Sequence, residues 1–574
     1  MGKLFGIYEG EKVILNDREL LGEGGDALSV ALQGEIYNRQ ELVVALEKRG
    51  HEFKSGTDSE LVGFAYREWG EECVKKFNGA FVLCIYDKRK QNLIIARDPV
   101  GEKFLYYTSY DGKFVFSSHV DLITEAPEFH KEIDLCALNF FVASRNVPDE
   151  LCIFKNVRKL LPGGVLKFDL KSGMLETRRY WEPPTLEPQD GDEDELLEKL
   201  EQMLIDSLSL RMKAENSLGA FLSGGVDSSL VVALMSRLAP GPVKTFSVGF
   251  NDERCSELPH ARLVADFYDT DHTEVVVEPN FDDFLESVFL FDEPIGDPSI
   301  LPTFYGCKTA GESINAIMTG DGADSLFTGM RTHSQVIRNM KINRLIVPPF
   351  DLILRKLVEL IPEEAKWRIF LENLSPIDFY SKRETVFPSS LRERLFQDWV
   401  LDALGERLYE PDKQVLPDAG SLTAKLTYLE LVDTANDSLP KMEKICRNFS
   451  ISVRTPFLDT KLIEFAFTEV PGNMKIKGAV TKYLLKKLAA KFLPPQFPLN
   501  RKRGLNPPLA RWIRDEWRTH VRDILLGGEE KYFKRSYVEK LLRLHSGRLL
   551  NQDRKLFSLL VFKIWESRYL GNGR

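Results

Sequence analysis

The run AFLSGGVDSSLVVAL, residues 220–234, sets Ser223-Gly224-Gly225 between a short apolar segment and a helical one. Adjacent glycines let a backbone close on an anion. Ser223, Ser228 and Ser229 add hydroxyl donors, and a helix start aims unpaired N–H groups and a partial positive charge at the same point. The ligand this predicts is an anion such as a phosphate group. No Gly-Lys-Ser or Gly-Lys-Thr follows the glycines, so the loop is not of the lysine-bearing Walker type. Asp227 repels an anion unless a cation lies between them, which points to Mg²⁺. Taken alone, the seven residues 223–229 also read as a Gly-Ser turn capping a helix. A second loop, Thr319-Gly320-Asp321-Gly322-Ala323-Asp324, follows the apolar run NAIM at 315–318. Ligands of open parallel sheets sit beyond the carboxyl ends of the strands, where both loops would lie, and a second acid there could complete a shared Mg²⁺ site.

The elements that must position these loops follow from the pattern around them. From about residue 216 strands are expected over 217–222, 243–250, 273–277 and 315–318, with helices over 226–238 and 259–268. This alternation predicts a parallel sheet with helices on both faces. Ahead of it, residues 1 to about 180 carry short strands over 27–33, 80–86, 92–96 and 113–117 and helices over 39–49 and 58–69, separated by Gly, Asn and Asp turns. That mixture predicts an α+β layered fold. EPPTLEPQDGDEDE at 182–195 reads as a linker and is followed by an amphipathic helix. Beyond 330 the chain reads as mostly helical, with Pro-rich joints at 493–496 and 506–508.

A chain of 574 residues implies at least two domains. Its net charge of -9 argues against a nucleic-acid binder, and the basic run Arg501-Lys502-Arg503 is read as structural or phosphate-side. The seven cysteines are odd in number and form no C-x-x-C pair, which argues against a zinc site or disulfide framework and fits a reducing, cytoplasmic setting. No signal peptide or membrane span is recognised.

Around the two loops the sequence resembles the class B, glutamine-hydrolysing type of asparagine synthetase. SGGVDSS is the loop of the PP-loop ATP pyrophosphatases. TFSVGF (245–250), DEPIGDPSILPT (292–303), MTGDGADSLFTG (318–329), VRTPFLD (453–459) and TKYLLKK (481–487) resemble the synthetase domain. GEIYN (34–38), TDSEL (57–61), FNGAFVLCIYD (77–87) and ARDPVGEKFLYY (96–107) resemble its glutamine amidotransferase domain. The resemblance implies an α+β Ntn-hydrolase-like sandwich over 1–181, a linker over 182–195, and over 196–574 an α/β parallel-sheet PP-loop domain, adenine nucleotide α-hydrolase-like, with a helical C-terminal portion. It implies that a carboxylate, the aspartate side chain, attacks the α-phosphate of ATP and that ammonia then displaces AMP.

Carried over by position, Ser223, Gly224, Gly225, Asp227, Ser228 and Ser229 hold the pyrophosphate, and Leu222, Val248, Thr319 and Gly320 border the adenosine. Asp227 and Asp324 are the Mg²⁺ ligands, Asp321 lies near the reacting carboxylate and amine, and Lys482 faces the phosphates. The departures are Ser325 where glutamate is usual, Thr328 where glycine is usual, Ser452 where glutamate is common, and KMEKICR (441–447) against a pattern nearer RVDRMSM. They cluster on the acid-substrate side and leave the identity of the acid open.

The glutaminase domain of this family requires a cysteine at position 2, where this sequence has Gly2. Asn38 and Asp58 match glutamine-contacting positions but equally suit a turn and a cap. The N-terminal domain is therefore expected to fold without hydrolysing glutamine, and the nitrogen to come from ammonia, another amine or a separate ammonia-donating partner. A homodimer is one arrangement the sequence leaves open. A β-lactam-synthetase-like ligase acting on another acid, and a degenerate nucleotide-binding regulatory protein, are the competing readings.

Overall fold

The structure is a computed structural model that describes residues 3–9, 12–16, 18–21, 28–148, 150–186, 188, 190–213, 217–252, 254–330, 333, 335–336, 385–412, 420–500 and 504–570. Gly2 and Arg501-Lys502-Arg503 lie outside the described residues.

In the front half, the run AFVLCIY belongs to the strand Gly79–Asp87, which is buried on both faces. Successive side chains alternate across a strand. Val82 and Cys84 therefore join Phe114, Phe116 and Phe168 on one side. Phe81, Leu83 and Ile85 join Leu42, Leu46 and Leu61 on the other. Two antiparallel sheets result. One runs Lys12–Leu15, Phe5–Glu9, Lys113–Ser117, Tyr106–Tyr110, Arg158–Lys159. The other runs Leu175–Arg179, Gly164–Asp169, Asn92–Arg97, Gly79–Asp87, Leu28–Ile36, Arg18–Leu21. Helices Arg39–Glu47 and Asp58–Trp69 cover the outer face of the six-stranded sheet. Helices Val120–Thr124, Leu135–Ser144 and the C-terminal Asp553–Tyr569 share a core with Tyr106 and Val115 on the outer face of the five-stranded one.

The back half is built on a parallel sheet in the order Asp271–Val277, Lys244–Phe250, Leu218–Phe221, Ala316–Met318, Ser452–Arg454. Ala220, Leu222 and Met318 pack under helices Glu193–Met212, Val226–Leu238, Thr460–Thr468 and Tyr483–Ala490. Phe246, Ile317 and Val453 pack on the other face, under Ile300–Ala310 and Ser438–Asn448. The first strand thus lies between the second and the fourth, at the point where the strand order reverses, which is where open parallel sheets bind their ligands, beyond the carboxyl ends of the strands.

Two expectations need adjustment. Ser452–Arg454 is a fifth parallel strand in a region read as helical; three residues are too few to carry a period. The segment read as a linker ends earlier, because Asp192 caps a helix that starts at Glu193. Glu193 then receives Tyr483 Oη and the Lys487 ammonium, so this acidic stretch is docked against the back half.

The two halves meet through charged groups. Glu35 lies 2.9 Å from the Arg454 guanidinium and accepts from Ser452 Oγ. Asn78 donates to Asp459, which also pairs with buried Arg211 at 2.9 Å. Glu293 accepts from Tyr106 Oη and pairs with Lys159, while Asp292 pairs with Lys444. Burial alone would raise the Asp292 carboxyl, but Lys444 and neighbouring cations hold it well below the usual range. No helix among the described residues is long and apolar enough to cross a membrane.

Candidate active site

The glycine loop sits between strand Leu218–Phe221 and helix Val226–Leu238, whose N-cap is Gly225, without a side-chain cap. The first-turn N–H groups therefore keep their donors for a ligand. Gly224 has φ +78, and a Cβ there would lie 2.8 Å from Ala261 N and 2.9 Å from Glu257 O, so only glycine fits. Ser228 Oγ is 2.8 Å from Ser223 Oγ and accepts from Ser223 N at 3.1 Å, which folds the loop over its own helix start. The Ser229 hydroxyl is buried with no hydrogen-bond partner among the described residues. Leu222 is held by its N–H to Phe246 O at 2.8 Å, and Val248 lies one strand across, over Gly306.

The second loop closes on the first. A Cβ on Gly320 would stand 2.9 Å from Ser228 N and 3.0 Å from Asp227 Cβ, so the two loops are in backbone contact. Thr319 N donates to Arg454 O at 3.0 Å, tying this loop to the edge strand, and Thr319 Oγ1 accepts from Asp321 N. Asp227 and Asp324 converge on Lys482, whose ammonium is 2.5 Å from Asp227 Oδ2 and 2.7 Å from Asp324 Oδ1. Its side chain is only 4% exposed. The triad of two acids and one lysine thus comes from three separate segments, and Lys482 was placed there by the family resemblance alone. The lysine meets the acids directly, a contact that spacing did not foretell.

The other oxygen of Asp227, Oδ1, is buried with no hydrogen-bond partner among the described residues. An orphaned carboxylate oxygen beside a second carboxylate fits a hard divalent cation. Among the described residues no group of three or more His, Cys, Asp or Glu side chains that could hold a metal ion occurs, so an ion held by these two acids would need further ligands from elsewhere.

On the acid-substrate side, Ser438 Oγ donates to Asp321 Oδ1 at 2.7 Å. One helical turn on, Lys441 Nζ reaches Asp297 at 2.5 Å and Ser299 Oγ at 2.7 Å. Arg145, from the front half, stands 3.7 Å from Asp437. Burial alone would lower the Lys441 ammonium and raise the Asp297 carboxyl; their pairing reverses both shifts. Sequence reading missed Arg145, Asp297, Ser438 and Lys441 as a group. The departing segment 441–447 was the one signal that pointed toward them.

In the front half, Asn38 Nδ2 donates to Lys76 O at 2.9 Å and Asn38 Oδ1 accepts from Asn78 N at 2.9 Å. Asp58 accepts from Ile36 N and pairs with Arg39 at 3.2 Å. Both side chains hold backbone in place. Cys73 and Cys84 are buried, and burial pushes the Cys73 thiol up to about 12 and raises Cys84 as well.

The comparisons with known proteins give the family. The profile of the family described as asparagine synthase matches residues 199–567, and that of the glutamine amidotransferase domain matches 20–181. Asparagine synthetase [glutamine-hydrolyzing] 1 of Bacillus subtilis is 30% identical over 98% of this chain and 90% of its own length. A putative asparagine synthetase of Methanocaldococcus jannaschii is 32% identical over 71% of this chain and 79% of its own. One of Mycobacterium bovis is 27% identical over 96% and 85%. With the phosphate loop, its two acids and its lysine in place on the matched sheet, the chain belongs to the asparagine synthase family and is an asparagine-synthetase-like ligase.

Proposed function

We propose that the chain adenylates the side-chain carboxylate of aspartate with Mg²⁺ and ATP and transfers the acyl group to ammonia, giving asparagine, AMP and pyrophosphate. The observation that carries the reading is the convergence of Asp227, Asp324 and Lys482 at the mouth of the glycine loop. Mg²⁺ bound by Asp227 and Asp324 would neutralise charge on the phosphates. The N–H groups and hydroxyls of residues 223–229 orient the two leaving phosphates, and the Lys482 ammonium offsets the charge that develops as pyrophosphate departs. Leu222, Val248, Thr319 and Gly320 supply the backbone edge for the adenosine. A carboxylate oxygen attacks the α-phosphorus and the bond to the β-phosphate bridge breaks. Ammonia then attacks the acyl carbon, AMP leaves with the electron pair, and Asp321 is placed to take the surplus proton.

The acid is supported by the charged side chains near Asp321. Lys441 and Arg145 offer cations to an α-carboxylate, and Asp437, Asp297 and Asp321 offer acids to an α-ammonium. That alternation suits a zwitterionic amino acid whose side-chain carboxylate points at the phosphate loop.

Free ammonia as the nitrogen source is supported by the front half. In a domain of Ntn-hydrolase-like layering over 1–181, the described cysteines Cys73, Cys84, Cys136 and Cys152 all have thiols raised by burial. A thiol so raised is a poor nucleophile. Asn38 and Asp58 are engaged with the protein's own groups. The connection 182–195 then leads to the ligase domain over 196–574.

The test is product analysis on the full chain with ATP, Mg²⁺ and a panel of amino and dicarboxylic acids, with ammonia or glutamine. Asparagine, AMP and pyrophosphate in equal amounts with aspartate and ammonia, and no glutamate released from glutamine, is the expected result. Turnover with another acid but none with aspartate would refute the substrate. Glutamate release would refute the nitrogen source.

A further inference from the structure

Two carboxylates that face each other in a nucleotide site repel unless a cation joins them. Here that cation is part of the chain, since the Lys482 ammonium touches both Asp227 and Asp324 within 2.7 Å. We propose that Lys482 is the resident cation of the Asp227–Asp324 pair, so that a divalent ion enters only together with nucleotide, when the phosphates take the lysine over. The inference rests on the ATP-site reading above and adds an order of events to it.

Three features support it. The root of the side chain is fixed. Lys482 has left-handed backbone, φ 53 and ψ 40, as N-cap of helix Tyr483–Ala490, and its N–H donates to Phe327 O at 3.2 Å. Only the side-chain torsions remain to move the ammonium. The space it occupies is also kept for it, because a Cβ on Gly329 would overlap both Lys482 Cε and Asp324 Oδ1. Finally, the surroundings punish a bare exchange. A metal ion entering alone would turn a nearly buried ammonium away from both its acids and toward a loop of N–H donors. A triphosphate entering with the ion supplies a counter-charge, and the acids pass to the metal. Two acids and a lysine carry a net charge of minus one, whereas the same acids without the lysine carry minus two. By linkage, metal and nucleotide must then strengthen each other's binding to the same extent.

The experiment uses the full chain and Mn²⁺ as probe, with binding read from loss of the free-ion electron paramagnetic resonance signal. It is run with and without the non-cleavable α,β-methylene analogue of ATP, on wild type, Lys482→Met and Lys482→Gln. The wild type is expected to bind Mn²⁺ at least about tenfold more tightly with the analogue than without it. Either variant should bind nucleotide-free Mn²⁺ at least about tenfold more tightly than wild type. Equal Mn²⁺ affinity of wild type with and without the analogue would overturn the proposal even if neither variant folds. So would a variant whose nucleotide-free affinity matches wild type. Calorimetry of the analogue separates the two levels. If the analogue does not bind wild type, the nucleotide site itself fails and this inference falls with it; if it binds and the metal arms come out equal, only the role of Lys482 fails.

Discussion

Lys441 shows how a residue outside the phosphate machinery can set the substrate. It sits one turn beyond Ser438, which holds Asp321, and shares Asp297 with Ser299. If its ammonium receives the α-carboxylate of the acid, Lys441→Met removes one charge-assisted hydrogen bond from bound substrate. The expected outcome is a KM for the acid raised about tenfold or more, with the KM for ATP unchanged, measured by pyrophosphate release. A parallel rise in both would mean that the lysine only supports the fold. The glycine loop between a strand and a helix was legible in the sequence because it is one short contiguous string, SGGVDSS. The acid side was not, because Arg145, Asp297, Ser438 and Lys441 come together only after three elements from both halves pack.

Thr328 carries an element-level consequence. It closes the turn after the short helix Ala323–Leu326 with φ 52, a left-handed conformation in which a β-branched residue is strained. Glycine, usual there in the family, adopts it without cost. Thr328→Gly is therefore expected to stabilise the chain by about 1 kcal/mol, the relief of strain outweighing the added entropy of the unfolded state, and denaturant unfolding would check it. A loss of stability would mean that the buried Thr328 side chain packs better than its backbone suits. The helices Asp58–Trp69 and Val226–Leu238 begin and end where the sequence places them, because a Thr57 cap and a pair of glycines mark their starts. Strand Ser452–Arg454 left no such mark. Its place in the sheet comes from pairing with Ala316–Met318, a partner distant in sequence.

At the scale of the whole molecule, the seam between the halves titrates. Glu102 is buried, accepts from Thr455 Oγ1 at 2.5 Å, and is pushed up to about 7 from an ordinary 4.5, first by burial and then by the charge of Asp98. An acid raised on folding keeps its proton in the native state after the unfolded chain has lost it. Its contribution is therefore full below the ordinary value and falls as pH rises from about 4.5 to about 7. Asp292, Asp297, Glu443 and Asp459 are held below their ordinary values, by their cationic partners against the opposing effect of burial, and act in the opposite sense, losing their contribution in acid. Glu102→Gln removes only the first effect. The stability of the variant relative to wild type should grow by about 2 kcal/mol between pH 5 and pH 7.5, read from paired unfolding curves. A constant gap across that range would show that Glu102 ionises as it does in water.

The central claim is that the carboxylate is activated as an adenylate, and oxygen transfer reports on it directly. Aspartate labelled with ¹⁸O in its side-chain carboxylate is turned over with ATP, Mg²⁺ and ammonia, and the nucleotide product is analysed by mass spectrometry. Attack on the α-phosphorus leaves one carboxylate oxygen on that phosphate, so the account predicts AMP carrying one ¹⁸O atom and unlabelled pyrophosphate. ADP together with labelled orthophosphate, or AMP without label, would contradict it.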